Sequence, residues 1–285
     1  MTTIWKNAAR ILTTILLGGL LGATLLRFAP GFGTDEEQLD PRLNHASIKA
    51  LRQNQRQENV LIFYIHHLSR MFHGDFGISQ TFERPVGELL RERAPETLKS
   101  VSLGLLLGWT AALALALPVV ISQSRSLSLG ASLASGMLLC IPAALLGLLF
   151  MLARAPARLV LALVVFPRVF RYCRNLLARS ASLPHVLLAR AKGVGQTGIL
   201  FWHVLLPATP QLLALAGVSV SIALTADIPV EALCDLPGIG QLAWKAALGR
   251  DLYLLVNLTM IVTAVTLLAN SAADLLSRSF RTSAA

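Results

Sequence analysis

Charge is what this 285-residue sequence has least of: 14% of its residues are charged, against 54% hydrophobic. A soluble domain carries about 25% charged and about 45–50% apolar residues, so the composition argues against a soluble enzyme. The same apolar excess excludes disorder. Cysteine is sparse as well. Cys140, Cys173 and Cys234 are an odd number without paired spacing, which gives neither a disulfide framework nor a zinc site. Acids are scarcer than bases, 15 against 25, for a formal charge of +10. In so apolar a chain that balance points to basic cytoplasmic loops, with no nucleic acid as partner.

The acids that exist are gathered together. Residues 30–96 hold ten of the fifteen and net −2, which leaves +12 on the remainder. This is the only long polar stretch, and it reads as one extramembrane domain. The rest is apolar runs joined by short basic or Pro/Gly-rich segments.

A helix needs about 20 apolar residues to cross a hydrocarbon core of about 30 Å. Runs at about 8–29, 98–121, 128–153, 205–226 and 252–276 meet that length. A weaker sixth lies at 157–178, where Arg168, Arg171 and Arg174 recur on one helix face and can snorkel at its end. The first run is read as a retained span, because no small-x-small cleavage site precedes Arg27. With the N-terminus inside, Lys6, Arg10, Arg125, the three arginines of the sixth run, Arg179, Arg190, Lys192, Arg278 and Arg281 are cytoplasmic. That is eleven bases and no acid, against four bases (Arg154, Arg158, Lys245, Arg250) in the short outside loops with Asp227, Glu231, Asp235 and Asp251. The expected fold is therefore an all-α integral membrane protein with six spans and both termini inside. Residues 1–29 hold the first span, 30–96 form a mainly helical extracytoplasmic insertion, and 97–280 form the remaining core.

Gly193 to Gly198 spells GxGxxG, but a dinucleotide fingerprint needs a strand before it and an acid about 20 residues on. Here a helical Ala189-Arg190-Ala191-Lys192 precedes it, and the next acid, Asp227, lies beyond an apolar run. No Walker loop, HExxH or GxSxG occurs, so no catalytic residue and no ATP or metal site is expected on this chain. His66, His67 and His73 fall on an amphipathic helix at about 58–73, with Leu61, Ile65, Leu68 and Phe72 apolar and the histidines wet.

The informative stretch is the basic loop at about 179–205. Ser182 and Pro184 can start a helix, Arg190 and Lys192 suit its last turn, and Gly193 suits the residue beyond it, where φ > 0 is required. A second helix is expected from Thr197 to Pro207, leading into the next span. The result is a glycine-bent elbow between two spans. Elsewhere, Gly104 and Gly108, Gly130 and Ala134, and Gly217 and Ser221 form small-residue faces, and Pro118 and Pro142 are expected to kink their spans.

Ala189-Arg190-Ala191-Lys192-Gly193, followed by His203, Leu205 and Pro207, resembles the cytoplasmic "EAA" loop of ABC importer permeases, and most closely the oligopeptide/dipeptide (and nickel) permease group. Three further stretches resemble that group in order. They are Leu26 to Gly31; Gly74 to Ser79 with Arg84-Pro85-Val86 and Arg93 to Leu98; and Glu231 with Pro237-Gly238-Ile239-Gly240 and Arg250-Asp251. The sequence departs from the pattern in lacking the acid at Leu187-Leu188-Ala189 and in its very short loop at Arg154 to Ala157. The resemblance implies a permease subunit that pairs with a second permease in the lipid bilayer to form a path for peptides or a similar small solute. It implies two ATPase subunits, carrying ATP and Mg, docked through Val186, Ala189, Arg190, Ala191, Lys192, Gly193 and His203, and a substrate-binding protein outside. Two other classes stay open: a degenerate, non-transporting scaffold of the same fold, and a membrane enzyme acting on lipid through Asp75 and the histidines.

Overall fold

The computed structural model describes residues 2–27, 60–122 and 124–283. Residues 30–59 of the expected insertion and the stretch Phe28 to Gly31 lie outside the described residues. The described chain is nearly all helix, and its one β-type pairing is the bridge between Ile78 and Pro85. We number the helices α1 (Thr2–Arg27), α2 (Val60–Phe72), α3 (Val86–Ser122), α4 (Arg125–Leu139), α5 (Ala143–Leu152), α6 (Leu159–Ala181), α7 (Pro184–Ala191), α8 (Gln196–Leu233), α9 (Ile239–Leu248) and α10 (Leu252–Ser283).

By length and composition, α3, α8 and α10 can each cross a bilayer, and α4 with α5 makes a fourth if the bent pair is one span. Six were expected. The apolar part of α1, Leu12–Gly22, is short, and α6 carries its arginines along one face. The expected third span, 128–153, is not one rod: α4 and α5 meet at 89°. Pro142 explains the break, since it has no amide to donate to Leu138. That carbonyl accepts instead from Ile141 at 3.3 Å, while Cys140 donates to Met137. Pro118, by contrast, sits inside α3 without interrupting it. α3 also begins at Val86, twelve residues before the expected Leu98, because Val86 and Leu89 are themselves buried.

The chain divides into two compact units. The first comprises Met1–Ala94 and Leu242–Ala264. Tyr64 on α2 is buried and donates its hydroxyl to the Leu16 carbonyl of α1 at 2.7 Å. Leu68 and Met71 share its face and pack with Leu20, Val256 and Met260. The expected apolar face of this helix is thus rotated by about one residue: Ile65 is 64% exposed, and Tyr64 takes the inward place. Gly19 makes the packing possible, as a Cβ there would lie 2.6 Å from the Tyr64 hydroxyl.

The second unit comprises Pro95–Gln241 and Val265–Ala285, and its core is built around α6. Val165, Val169, Phe170, Cys173 and Leu177 of α6 are fully buried against α4, α5 and α8. The segment weakest as a lipid-facing rod is therefore the best packed, its apolar stripe covered by protein and its arginines turned away. Gly104 and Gly108 let α3 approach α6 closely, with Leu161 and Val165 where side chains would stand. Gly217 packs on Asn270 and Ala273 in the same way. Gly130 faces open space, so its pairing with Ala134 makes no such contact.

Candidate functional site

The elbow joins α6 to α8. Ser182 does not cap α7 as expected. Its hydroxyl donates back to the Arg179 carbonyl at 2.8 Å, closing α6, and Leu183 is the N-cap of α7 with Pro184 at the first helical position. At the far end, the Gly193 amide donates to Arg190 at 3.0 Å and the Val194 amide to Ala189 at 3.2 Å. These two bonds are the paired closure of a Schellman cap, and Gly193 adopts the required φ of +75°.

The second helix expected from Thr197, leading into the next span, is the start of α8. Gly195 is its N-cap, and Ile199–Leu205 is wound as π-helix before the α-helix resumes. Pro207 supplies the reason. It cannot donate to the carbonyl of His203 four residues earlier. That carbonyl is met by a side chain from α7, with His185 Nε2 at 3.0 Å and the two imidazole rings 6.4 Å apart. Because a carbonyl only accepts, His185 donates through Nε2. His185 therefore clasps α7 to the π segment, a role the sequence reading missed. Its signal was Pro207, which frees a carbonyl that some donor must satisfy.

The structure separates the residues that the resemblance brought together. Val186 is fully buried and Ala189 is 5% exposed, so both anchor α7 to the core. Arg190, Ala191, Lys192 and Gly193 are exposed, as are Leu187 and Leu188. His203 is half-buried, its Nδ1 without a hydrogen-bond partner. Phe201 and Trp202, at 60% and 70% exposure, put large apolar side chains on the surface of the π segment. The elbow can therefore offer a partner an apolar and basic surface on a mount with few backbone freedoms.

The other motif stretches meet in pairs. In the first unit, Asp75 accepts from the Gly77 amide, and Asn257 Nδ2 donates to the Phe76 carbonyl at 2.8 Å. Asp251, fully buried, accepts from the Ser79 hydroxyl, the Thr81 amide and the Leu254 amide. In the second unit, Glu231 accepts from the Thr97 hydroxyl at 2.6 Å and from the amides of Gly240 and Gln241. Thr97 in turn accepts from Ile239. Gly238 and Gly240 close over that carboxylate, and a Cβ on Gly238 would collide with it. Asp227 and Glu231 had been counted among the outside-loop acids. Both are buried within α8 instead, and neither oxygen of Asp227 has a hydrogen-bond partner.

Among the described residues a lipid-directed catalytic set is not assembled. Asp75 Oδ2 is held by Arg70 Nε and Nη2 at 2.9 and 2.7 Å. The same hydrogen bond raises the Arg70 pKa above its ordinary value. His73 Nδ1 lies 2.8 Å from the Ser69 carbonyl, and no three His, Cys, Asp or Glu among the described residues are placed to hold a metal ion.

The chain is 26% identical to the oligopeptide transport system permease protein AppB of Bacillus subtilis, over 90% of this chain and 92% of that protein. It is also 26% identical to the oligopeptide transport system permease protein OppB of Haemophilus influenzae (96% and 95% covered) and to OppB of Escherichia coli (92% and 92%). Residues 104–282, which include the elbow and Glu231, match the family described as binding-protein-dependent transport system inner membrane component. The protein belongs to that family of multi-pass inner-membrane transport permeases, and it is not an enzyme.

Proposed function

We propose that this chain is one of two permease subunits of an ABC importer. Together they form the membrane path for peptides or a similar small solute, and two ATPase subunits in the cytosol drive it. A substrate-binding protein delivers the solute from outside. In this reading the chain crosses the bilayer six times with both termini inside, and the elbow at about 179–205 is cytoplasmic. ATP and Mg belong to the partner ATPases, and this chain's own residues transmit motion.

The observation that carries the reading is the Schellman-capped elbow between α6 and α8, with Leu187, Leu188, Arg190 and Lys192 exposed on it. An importer of this kind needs two packings of similar energy and a partner that binds one of them better. A short helix fixed at one end by its cap and at the other by Pro184 moves as a body. A push on its exposed face therefore reaches both neighbouring helices. Val186 and Ala189 hold it to the core, and the His185 clasp ties it to α8.

Gly193 tests the role. A side chain there meets nothing within 4 Å, so the cost of substitution is purely conformational. It is about 1–2 kcal/mol for most residues and least for Asn, which tolerates the left-handed region. In a complex reconstituted with both ATPases and the binding protein, Gly193→Val is expected to hydrolyse ATP without matching uptake, while Gly193→Asn retains most of the uptake. Full uptake by the valine variant would end the coupling role. Solute-stimulated ATPase activity in the unmodified complex separates a working permease from a non-transporting scaffold.

A further inference from the structure

Beside the elbow lies a cavity of about 700 Å³, lined by the end of α3, the start of α4, the end of α6 and one side of α7. Arg125, Arg174 and Arg190 line it, together with Ser124, Ser128 and Asn175, and no acid does. We propose that this cavity binds the phosphate-bearing headgroup of an anionic phospholipid. The inference rests on the reading above only for the side of the membrane on which the headgroup lies.

Three features point to a phosphate. The guanidinium groups of Arg125 and Arg190 form no ion pair or hydrogen bond with any described residue, so both are available to an anion. Arg174 is held in place by Ser132, by Ser128 at 3.5 Å and by Asn175 at 3.3 Å, so its guanidinium is already ordered. The start of α4, with Ser124 as N-cap, adds the partial positive charge of a helix N-terminus.

A fourth feature points to a lipid and not to a free ion. Leu129 lines the cavity, and Leu133 and Met137 follow it at four-residue intervals, at 56%, 67% and 72% exposure. Those intervals place the three on one face of α4 and extend it about 12 Å along the helix axis. A headgroup in the cavity would thus lie at the head of an apolar track suited to its acyl chain. Basic pockets between membrane helices recognise anionic headgroups in this manner, at about fivefold in affinity per cation near the surface.

The test uses the full-length chain purified in a non-ionic detergent, with bound phosphatidylglycerol and phosphatidylcholine counted by native mass spectrometry. The protein is expected to retain phosphatidylglycerol in preference to phosphatidylcholine. Arg125→Gln with Arg190→Gln is expected to weaken retention by about 25-fold, at about fivefold per lost charge. Arg125→Lys with Arg190→Lys restores most of it. If the double glutamine variant does not run as a single species on size exclusion, Arg125→Gln alone serves, with about a fivefold loss. Equal retention of both lipids, no effect of either glutamine variant, or displacement of the lipid by millimolar inorganic phosphate would each overturn the proposal. Lipid counted on purified protein has no sidedness. Ser126→Cys found accessible from outside would therefore refute the proposed topology and leave this result standing.

Discussion

At the scale of single residues, the two acids at the end of α8 have opposite circumstances. Glu231 accepts three hydrogen bonds in a cage of Thr97, Gly240 and Gln241, whereas Asp227, one turn earlier and 1% exposed, accepts none. A buried carboxylate without donors costs stability, and a second carboxylate four residues away adds repulsion. Asp227→Asn is therefore expected to stabilise the protein by on the order of 1 kcal/mol or more, read as a higher thermal unfolding midpoint in detergent. A lowered midpoint would refute that reading, and a raised midpoint accompanied by lost uptake would mark Asp227 as retained for function. The sequence made Gly193 legible, because a glycine after a basic helical turn has few uses but a left-handed cap. It did not reveal that Asp227 and Glu231 are buried. Their spacing fits a loop acid and a helix acid equally, and only the glycines of Pro237 to Gly240, which must close over something, hinted at the cage.

At the scale of elements, the π segment Ile199–Leu205 depends on Pro207 and His185 together. If His185 is there to satisfy the carbonyl that Pro207 leaves free, the two residues are energetically coupled. His185→Ala alone is expected to destabilise the protein by about 1 kcal/mol, as an orphaned carbonyl does. Combined with Pro207→Ala, which restores a backbone donor, the same change should cost much less. A double-mutant cycle on thermal stability reads this directly, and strict additivity would show that His185 and Pro207 act independently. The sequence predicted helix throughout this stretch, but the winding was not legible, since seven residues are too few to separate the period of a π-helix from that of an α-helix. Pro142 made a bend between α4 and α5 legible, though not its 89° size, and hydropathy hid the central place of α6. Hydropathy scores a helix as if lipid surrounds it, whereas Phe170 and its neighbours on α6 are covered by protein.

At the scale of the whole molecule, the 89° bend between α4 and α5 decides the sidedness of everything after it. If the pair crosses the bilayer, residues 154–158 lie outside and the elbow lies in the cytosol. If the pair returns to the side it came from, every later segment is inverted, and the elbow with its exposed Arg190 and Lys192 faces outward. The eleven lysines and arginines that a full crossing puts inside, against four outside, favour crossing, because basic residues of short loops are retained in the cytoplasm. An elbow that couples to cytosolic ATPases requires the same parity. In a cysteine-free background, Ala155→Cys in intact cells should react with a membrane-impermeant thiol reagent, while Ala191→Cys should react only after the membrane is opened. The reverse pattern would make α4 and α5 a re-entrant hairpin, place Leu187 and Leu188 beyond any ATPase, and remove the elbow from the transport cycle. Ala191 is exposed at the end of α7 and Ala155 is half-buried in the short link between α5 and α6, and neither belongs to the core packed around α6 on which the second unit depends.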